Sequence, residues 1–298
     1  MPNTLHKALP LSAMLIAFAV SCNKKEDSAK TSSREEKPTD KKENIVFFDD
    51  FSGTAIDTAN WTPRTDVFVN NEQQAYADST ATLYLDKNVE GAENGALVIK
   101  ALYSPGYLAE NGKKFDFISG RMDSRGKKEF TYGSMAARIK MPLGSGYWPA
   151  FWALGAQGKW PDCGEIDIME YVGEPDWVGC AMHGPGYFGD THLVNKVYFD
   201  GTDVADWHIY SADWTEDEIL FKVDGKLFYR VTKPIVNNYG PWVFNKPHFL
   251  ILNFALGGAY PAKINGVKTP YNGIPQSTVD DIKKGNAKVY VDWVKVTK

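Results

Sequence analysis

The sequence predicts an all-β fold in which two antiparallel sheets pack as a β-sandwich. From Ile45 onward, short alternating runs rich in Val, Ile, Phe, Tyr and Trp are separated by Gly, Asn, Asp and Pro. Asp224-Gly225 is a typical hairpin turn between strands predicted at 219–223 and 226–231. Helix signals are nearly absent. Residues 277–284 could form one short helical turn, but the pattern does not decide this.

The N-terminal residues have the pattern of an export signal. Lys7 supplies the positive charge, and residues 11–20 form an apolar run that is too short to span a bilayer. The tetrapeptide Ala19-Val-Ser-Cys22 resembles a bacterial lipobox. Residues 1–22 are therefore predicted to be a lipoprotein signal peptide. Cys22 would be the lipidated first residue of an exported protein that is anchored to a bacterial membrane. A plain secretory signal is the alternative.

Residues 23–44 consist mainly of Lys, Glu, Asp, Ser and Thr, with a single Pro. Such a segment cannot bury enough apolar surface to fold, so it is predicted to be a disordered polar linker. Residues 45–298 show no composition shift, repeat or second linker, which predicts one large domain. The formal net charge of -4 argues against a nucleic-acid partner and fits a neutral polymer.

Three carboxylates lie close together in the predicted strand at 164–170. Because side chains alternate along a strand, Glu165 and Asp167 share one face, and Ile166 and Ile168 point into the core. Glu170 would fall on the core face, where an unpaired carboxylate is costly. One extra residue near 168–169, a β-bulge, would return it to the face of the other two.

With such a bulge, the Cα atoms of Glu165 and Glu170 lie roughly 13 Å apart. Inward-leaning side chains could then bring the two carboxyl groups to about 5–6 Å, the separation expected of a retaining glycosidase. The alternative is an ordinary solvent-facing strand. An acidic-only row flanked by Trp148, Trp152 and Trp160 argues against this alternative.

The hexapeptide Glu-Ile-Asp-Ile-Met-Glu resembles the catalytic motif of glycoside hydrolase family 16. It is preceded by Gly146-Tyr-Trp-Pro-Ala-Phe-Trp152 and followed by His183-Gly-Pro-Gly-Tyr187. The chain is most similar to bacterial laminarinase-like endo-β-1,3-glucanases, from Phe47 to the C-terminus. Further matching motifs are Asn70-Asn-Glu72, Ser119-Gly-Arg121, Tyr132-Gly133, Trp207-His-Ile-Tyr210, Val223-Asp-Gly225, Leu250-Ile-Leu-Asn253 and Val291-Asp-Trp-Val294.

The resemblance implies that 45–298 is a jelly-roll catalytic domain whose concave sheet forms a substrate cleft. It implies that Glu165 is the nucleophile and Glu170 the general acid and base of a retaining mechanism, with no cofactor in catalysis. The spacing alone does not order the two. Asp167 lies between them, and hydrogen bonding and repulsion among three carboxylates should keep a proton shared within the group.

Sugar rings stack on aromatic side chains, so Trp148 and Trp152 are candidate substrate-binding residues, although Trp152 could equally belong to the core. Trp160 is a weaker candidate. The matching motifs imply that Asn71, Arg121 and His183 also bind substrate. Asn253 is a further candidate, which either faces the cleft or satisfies backbone groups inside the sheet. The resemblance further implies a structural calcium ion remote from the chemistry, at Asp50, Gly95 and Asp292. Alternatively, Asp292 merely forms a pair in the last strand.

Cys163 and Cys180 are predicted to be free. A turn near 173–175 would pair Cys163 with residues near Pro185, and Cys180 with residues near Ile168, too far apart for a disulfide.

An endo-acting enzyme that cleaves β-1,3 linkages in laminarin-like or mixed-linkage β-glucans is the leading prediction, and we expect a monomer. Agar, porphyran or carrageenan are alternative substrates. Sulfated polymers would demand a basic cluster beside the tryptophans, and none is evident. A non-catalytic β-glucan-binding lipoprotein is the alternative from another class, against which the presence of both glutamates argues.

Overall fold

The computed structural model describes residues 43–201 and 203–298. The predicted signal peptide, Cys22 and nearly all of the linker lie outside the described residues. Within the described ranges, no helix has both the length and the apolar character needed to cross a membrane.

Nineteen strands make up most of the regular secondary structure of the described residues. In chain order they are β1 (Ile45–Asp49), β2 (Thr62–Pro63), β3 (Gln74–Tyr76), β4 (Leu83–Asp86), β5 (Ala96–Lys100), β6 (Leu102–Leu108), β7 (Lys114–Ser119), β8 (Arg121–Asp123), β9 (Glu129–Phe130), β10 (Gly133–Lys140), β11 (Tyr147–Gly155), β12 (Glu165–Glu170), β13 (Trp177–His183), β14 (Val194–Tyr198), β15 (His208–Trp214), β16 (Glu218–Val223), β17 (Lys226–Thr232), β18 (His248–Leu256) and β19 (Lys288–Thr297).

The strands form two large antiparallel sheets. The first sheet has the order β17-β16-β15-β10-β19-β5-β4, with β1 paired to β19. The second sheet has the order β14-β13-β12-β11-β18-β8-β2, with β9 paired to β18. A smaller sheet is formed by β3, β7 and β6. The predicted all-β sandwich is therefore confirmed, and the predicted turn at Asp224-Gly225 joins β16 to β17.

The core lies between the two large sheets and explains which face of β12 is available for chemistry. Ile166, Ile168 and Met169 of β12 are buried, as are Met135 and Ile139 of β10 in the first sheet. Since these side chains occupy the inner face, the acidic side chains of β12 point away from the core.

Three short α-helices and one 3-10 turn at Asp203–Ala205 complete the part of the fold that the structure describes. The α-helices are α1 (Lys233–Val236), α2 (Ala259–Asn265) and α3 (Gln276–Lys283). The sequence indicated only α3, in which Val279 and Ile282 are buried three positions apart. The other two were missed because they have four and seven residues, too few to establish a helical period.

The two cysteines of the domain are free and buried, as predicted. Glu165 pairs with His183, and Glu170 pairs with Gly179. This register places Cys163 and Cys180 near opposite ends of the β12–β13 pair, which prevents a disulfide.

Candidate active site

The predicted β-bulge is present in β12. Against β11, Asp167 pairs with Trp152 and Met169 with Phe151, so Ile168 is the extra residue. Against β13, Asp167 pairs with Ala181 and Glu170 with Gly179, so two residues oppose one. Both residues of the bulge are buried in the core. Glu165, Asp167 and Glu170 consequently face the same side of the second sheet.

A cleft opens above these three carboxylates and crosses four neighbouring strands, β8, β18, β11 and β12. It is lined by Val69, Asn70, Glu72, Arg121, Trp148, Ala150, Trp152, Glu165, Asp167, Glu170, Asn253 and Ala255. Five of the predicted substrate-binding or catalytic polar side chains are therefore brought together with both predicted tryptophans.

Glu165 and Glu170, the two predicted catalytic glutamates, each accept a hydrogen bond from an indole. Trp160 Nε1 donates to Glu165 Oε2 at 2.6 Å, and Trp148 Nε1 donates to Glu170 Oε1 at 3.0 Å. Because the two tryptophans come from different segments, each glutamate is held in position independently of the other. Trp160, ranked low from the sequence, thus directly contacts one of the carboxylates.

His183 lies beside the acidic row on β13. Its Nε2 is 3.1 Å from Asp167 Oδ2 and 4.0 Å from Glu165 Oε1. Ligand atoms of these three side chains all lie within 4.8 Å of one another, close enough to hold a metal ion. Glycosidic hydrolysis by paired carboxyl groups needs no metal.

Burial changes the proton affinity of the whole acidic row. Burial, and then the charge of Asp167, raise the pKa of Glu165 to about 8, although His183 and the Trp160 hydrogen bond oppose this. Burial and then the charge of Glu170 raise the pKa of Asp167, and burial raises that of Glu170. The row therefore retains protons near neutral pH, so it can contain both an acid and a carboxylate.

Three of the predicted substrate-binding residues, Arg121, Trp152 and Asn253, form a connected network. Trp152 Nε1 donates to Asn253 Oδ1 at 2.8 Å, and Asn253 Nδ2 donates to the Tyr76 hydroxyl at 3.2 Å. The Arg121 guanidinium lies 5.0 Å from the centre of the Trp152 ring. Trp152 is therefore a cleft residue rather than a core residue, and Asn253 also faces the cleft.

The placement of Asn71 differs from that of the other predicted substrate-binding residues. Its side chain is exposed, while the neighbouring Asn70 and Glu72 line the cleft. Asn70 and Asn71 both have the left-handed backbone, with φ of 55° and 54°. This tight bend turns successive side chains in different directions, which a strand-like alternation cannot predict.

Glu72 is a cleft residue that sequence reasoning missed. Its Oε2 accepts hydrogen bonds from the Tyr76 hydroxyl at 2.9 Å and from Gln74 Nε2 at 2.8 Å. Burial raises the pKa of this carboxyl group. The sequence feature that could have identified Glu72 as a cleft residue is its position in the matching motif at 70–72.

Comparison with known proteins agrees with this geometry. The family model described as Glycosyl hydrolases family 16 matches residues 61–295. The chain belongs to glycoside hydrolase family 16. The family's chemistry relies on carboxyl groups, so the reaction needs no cofactor.

Individual family 16 members show how far the likeness extends. Glucan endo-1,3-beta-glucosidase A1 of Niallia circulans is 32% identical over 282 residues, which cover 86% of this chain and 38% of that protein. The chain thus spans well under half the length of that curated relative. The laminarinase catalytic domain from Thermotoga maritima MSB8 is 32% identical, with a TM-score of 0.72, and the match covers 86% of this chain and 98% of that one.

The endo-beta-1,3-glucanase from Pyrococcus furiosus is a second structural neighbour. It is 33% identical, with a TM-score of 0.73, and the match covers 85% of this chain and 94% of that one. These family 16 neighbours share the jelly-roll of curved sheets, so the predicted jelly-roll with a substrate cleft is confirmed.

Proposed function

We propose that this protein is a retaining, endo-acting glycoside hydrolase that cleaves β-1,3 linkages in laminarin-like or mixed-linkage β-glucans. The observation that carries the proposal is the β12 bulge, which places Glu165, Asp167 and Glu170 together in the cleft. In the proposed mechanism, Glu165 in its ionised form attacks the anomeric carbon, while the proton retained by the acidic row is on Glu170, which protonates the leaving oxygen. Glu170 then deprotonates the water that hydrolyses the glycosyl-enzyme.

The lining of the cleft supports a neutral glucan over a sulfated polymer. Among the described residues that line it, Arg121 is the only cation, and its guanidinium lies over the Trp152 ring. Recognition of sulfate groups would require several free cationic side chains. The names of the relatives, which describe action on 1,3-β-glucans, point the same way.

Release of reducing ends tests the proposal. The purified protein is incubated with laminarin, lichenan, curdlan, agarose and carrageenan, and NMR follows the anomer that is first formed from laminarin. We expect reducing ends from laminarin, with β-configured product. Activity confined to agarose or carrageenan, or product of inverted configuration, would contradict the proposal. Tight laminarin binding without any product would instead support the glucan-binding alternative.

We also propose a structural calcium ion at the three predicted positions, Asp50, Gly95 and Asp292, and the contacts of the residues just before Gly95 support it. Glu93 N donates to Asp292 Oδ1 at 2.9 Å, and Asn94 Nδ2 donates to Asp50 Oδ2 at 3.1 Å, so the turn ending at Gly95 contacts both aspartates. Asp292 is buried and also pairs with Arg138. Main-chain carbonyl oxygens together with one Asp292 oxygen would suit Ca²⁺, which prefers oxygen ligands.

The melting temperature tests this site. Because an ion that binds only the folded state stabilises it, calcium at 100 times its Kd should add about 2.7 kcal/mol to the free energy of unfolding. We expect EDTA to lower the melting temperature and added calcium to restore it, while magnesium does not. A melting temperature that responds to neither reagent would remove the proposal.

Lipid anchoring through Cys22 is a further proposal, based on the lipobox-like Ala19-Val-Ser-Cys22. The polar linker would hold the catalytic domain away from the bilayer. We expect the protein expressed in a bacterial host to fractionate with membranes and to incorporate labelled fatty acid, and Cys22→Ala to lose both. A Cys22→Ala protein that remained fully in the membrane fraction would contradict the proposal. Ser21→Ala, which keeps the thiol, is the control.

A further inference from the structure

The cleft is directed toward an edge of the second sheet that no predicted site residue occupies. Its lining residues follow one another across neighbouring strands, from Arg121 on β8 through Asn253 on β18 and Trp152 on β11 to Asp167 on β12. A polymer lying in this cleft runs across the strands. Any part of it that extends beyond β12 must pass over β13 and then over the edge strand β14.

The register shows which side chains of β14 such a polymer would meet. Gly179 of β13 pairs with Glu170 on one side and with Lys196 on the other. Tyr198 of β14 pairs with Trp177 of β13, and Val194 with Ala181. Because paired residues of antiparallel strands point to the same face, Val194, Lys196 and Tyr198 all share the face of the catalytic row.

Two of these side chains are exposed, and Lys196 is half-buried. Tyr198 is 67% exposed and Val194 is 43% exposed. The Lys196 ammonium lies 3.5 Å from the centre of the Trp177 ring, a cation–π contact that holds it over the sheet. Lysine on an edge strand can also serve to discourage pairing between molecules. That role does not account for an exposed tyrosine and valine on the same face.

We propose that Val194, Lys196 and Tyr198, which we call the β14 surface, form a distal sugar-binding site of this enzyme. The occupant is the segment of a β-glucan chain on the opposite side of the cleavage point from Arg121. The Tyr198 ring offers a flat apolar face to a sugar ring, and Lys196 can donate hydrogen bonds to hydroxyl groups. The β14 surface lies about 10 Å from β12, two inter-strand spacings, so only extended substrates reach it.

This inference rests on the proposed function and is tested by substrate length. Tyr198→Ala and Lys196→Met are assayed on laminarin and on an aryl β-laminaribioside, which is too short to extend across the β14 surface. We expect kcat/KM on laminarin to fall about fivefold for Tyr198→Ala, as for a contact worth about 1 kcal/mol, and that on the aryl substrate to stay within about twofold. Phe48→Ala is the control, because Phe48 is 49% exposed on β1 of the first sheet.

Equal losses on both substrates, or the same loss for Phe48→Ala, would overturn the inference. A wild-type enzyme that releases no product from laminarin would refute the proposed function instead. In that case, affinity electrophoresis in laminarin gels still tests the β14 surface, since the Tyr198 variant should migrate faster than the wild type. If Tyr198→Ala instead dissociated an oligomer in size-exclusion chromatography, the strand would serve pairing between copies, and the inference would be wrong.

Discussion

Glu165→Ala should lose nearly all activity on laminarin, with kcat lower by on the order of 10⁴-fold, because no group remains to attack the anomeric carbon. Azide should restore turnover of an activated aryl β-glycoside. The small anion can occupy the space of the missing carboxylate, and its nitrogen bonds to the anomeric carbon as the aryloxide leaves. Since it attacks from the face of the lost nucleophile, the expected product is the α-glycosyl azide, identified by NMR.

Two variants separate this role from a structural one. Glu165→Gln keeps the volume of the side chain, so it should be equally inactive without responding to azide. Asp162→Asn, which alters an exposed acid three residues earlier, should keep wild-type activity. A β-glycosyl azide from Glu165→Ala would show that Glu165 is the acid and base, and that the two glutamates have exchanged the proposed roles.

The large loss of activity expected for Glu165→Ala depends on features of the site that the sequence predicted. Strand alternation placed Glu165 and Asp167 on one face, and the cost of a buried Glu170 required the bulge that the structure contains. The alternating segments and the turn at Asp224-Gly225 were likewise sufficient for the sandwich, because strand patterning and turn chemistry are local properties.

Contacts between segments that are distant in the sequence could not be predicted from it. Trp152 faces the cleft, where it donates a hydrogen bond to Asn253, which is 101 positions away in the sequence. Glu72 lies in the cleft because the backbone bends at Asn70 and Asn71. The Trp160 hydrogen bond to Glu165 spans only five positions, yet it depends on how the preceding loop folds back. Periodicity describes which face a residue occupies in a regular strand and does not describe such loops.

Glu170→Ala should differ from Glu165→Ala in which substrates it still attacks and in which glycosyl azide it forms. Glu170→Ala should lose activity on laminarin by on the order of 10³- to 10⁴-fold, because a sugar leaving group requires protonation. An activated aryl group leaves without this help, so the first step should proceed while hydrolysis of the glycosyl-enzyme slows. Mass spectrometry of the quenched reaction should then detect a glycosyl group attached to Glu165. Azide should now give the β-glycosyl azide, because it attacks the glycosyl-enzyme from the face opposite Glu165.

The pH dependence provides an independent readout of the same residue. Burial raises the pKa of Glu170, so its acid form persists to higher pH than that of an ordinary glutamate. As pH rises through this raised pKa the proton is lost, and kcat/KM of the wild type on laminarin should fall. Glu170→Ala has no proton to lose there, so its first step on the aryl substrate should lack this alkaline decline. Asp176→Asn, an exposed position in the turn after β12, should retain the wild-type profile. An unchanged alkaline decline in Glu170→Ala would assign the acid to another member of the row.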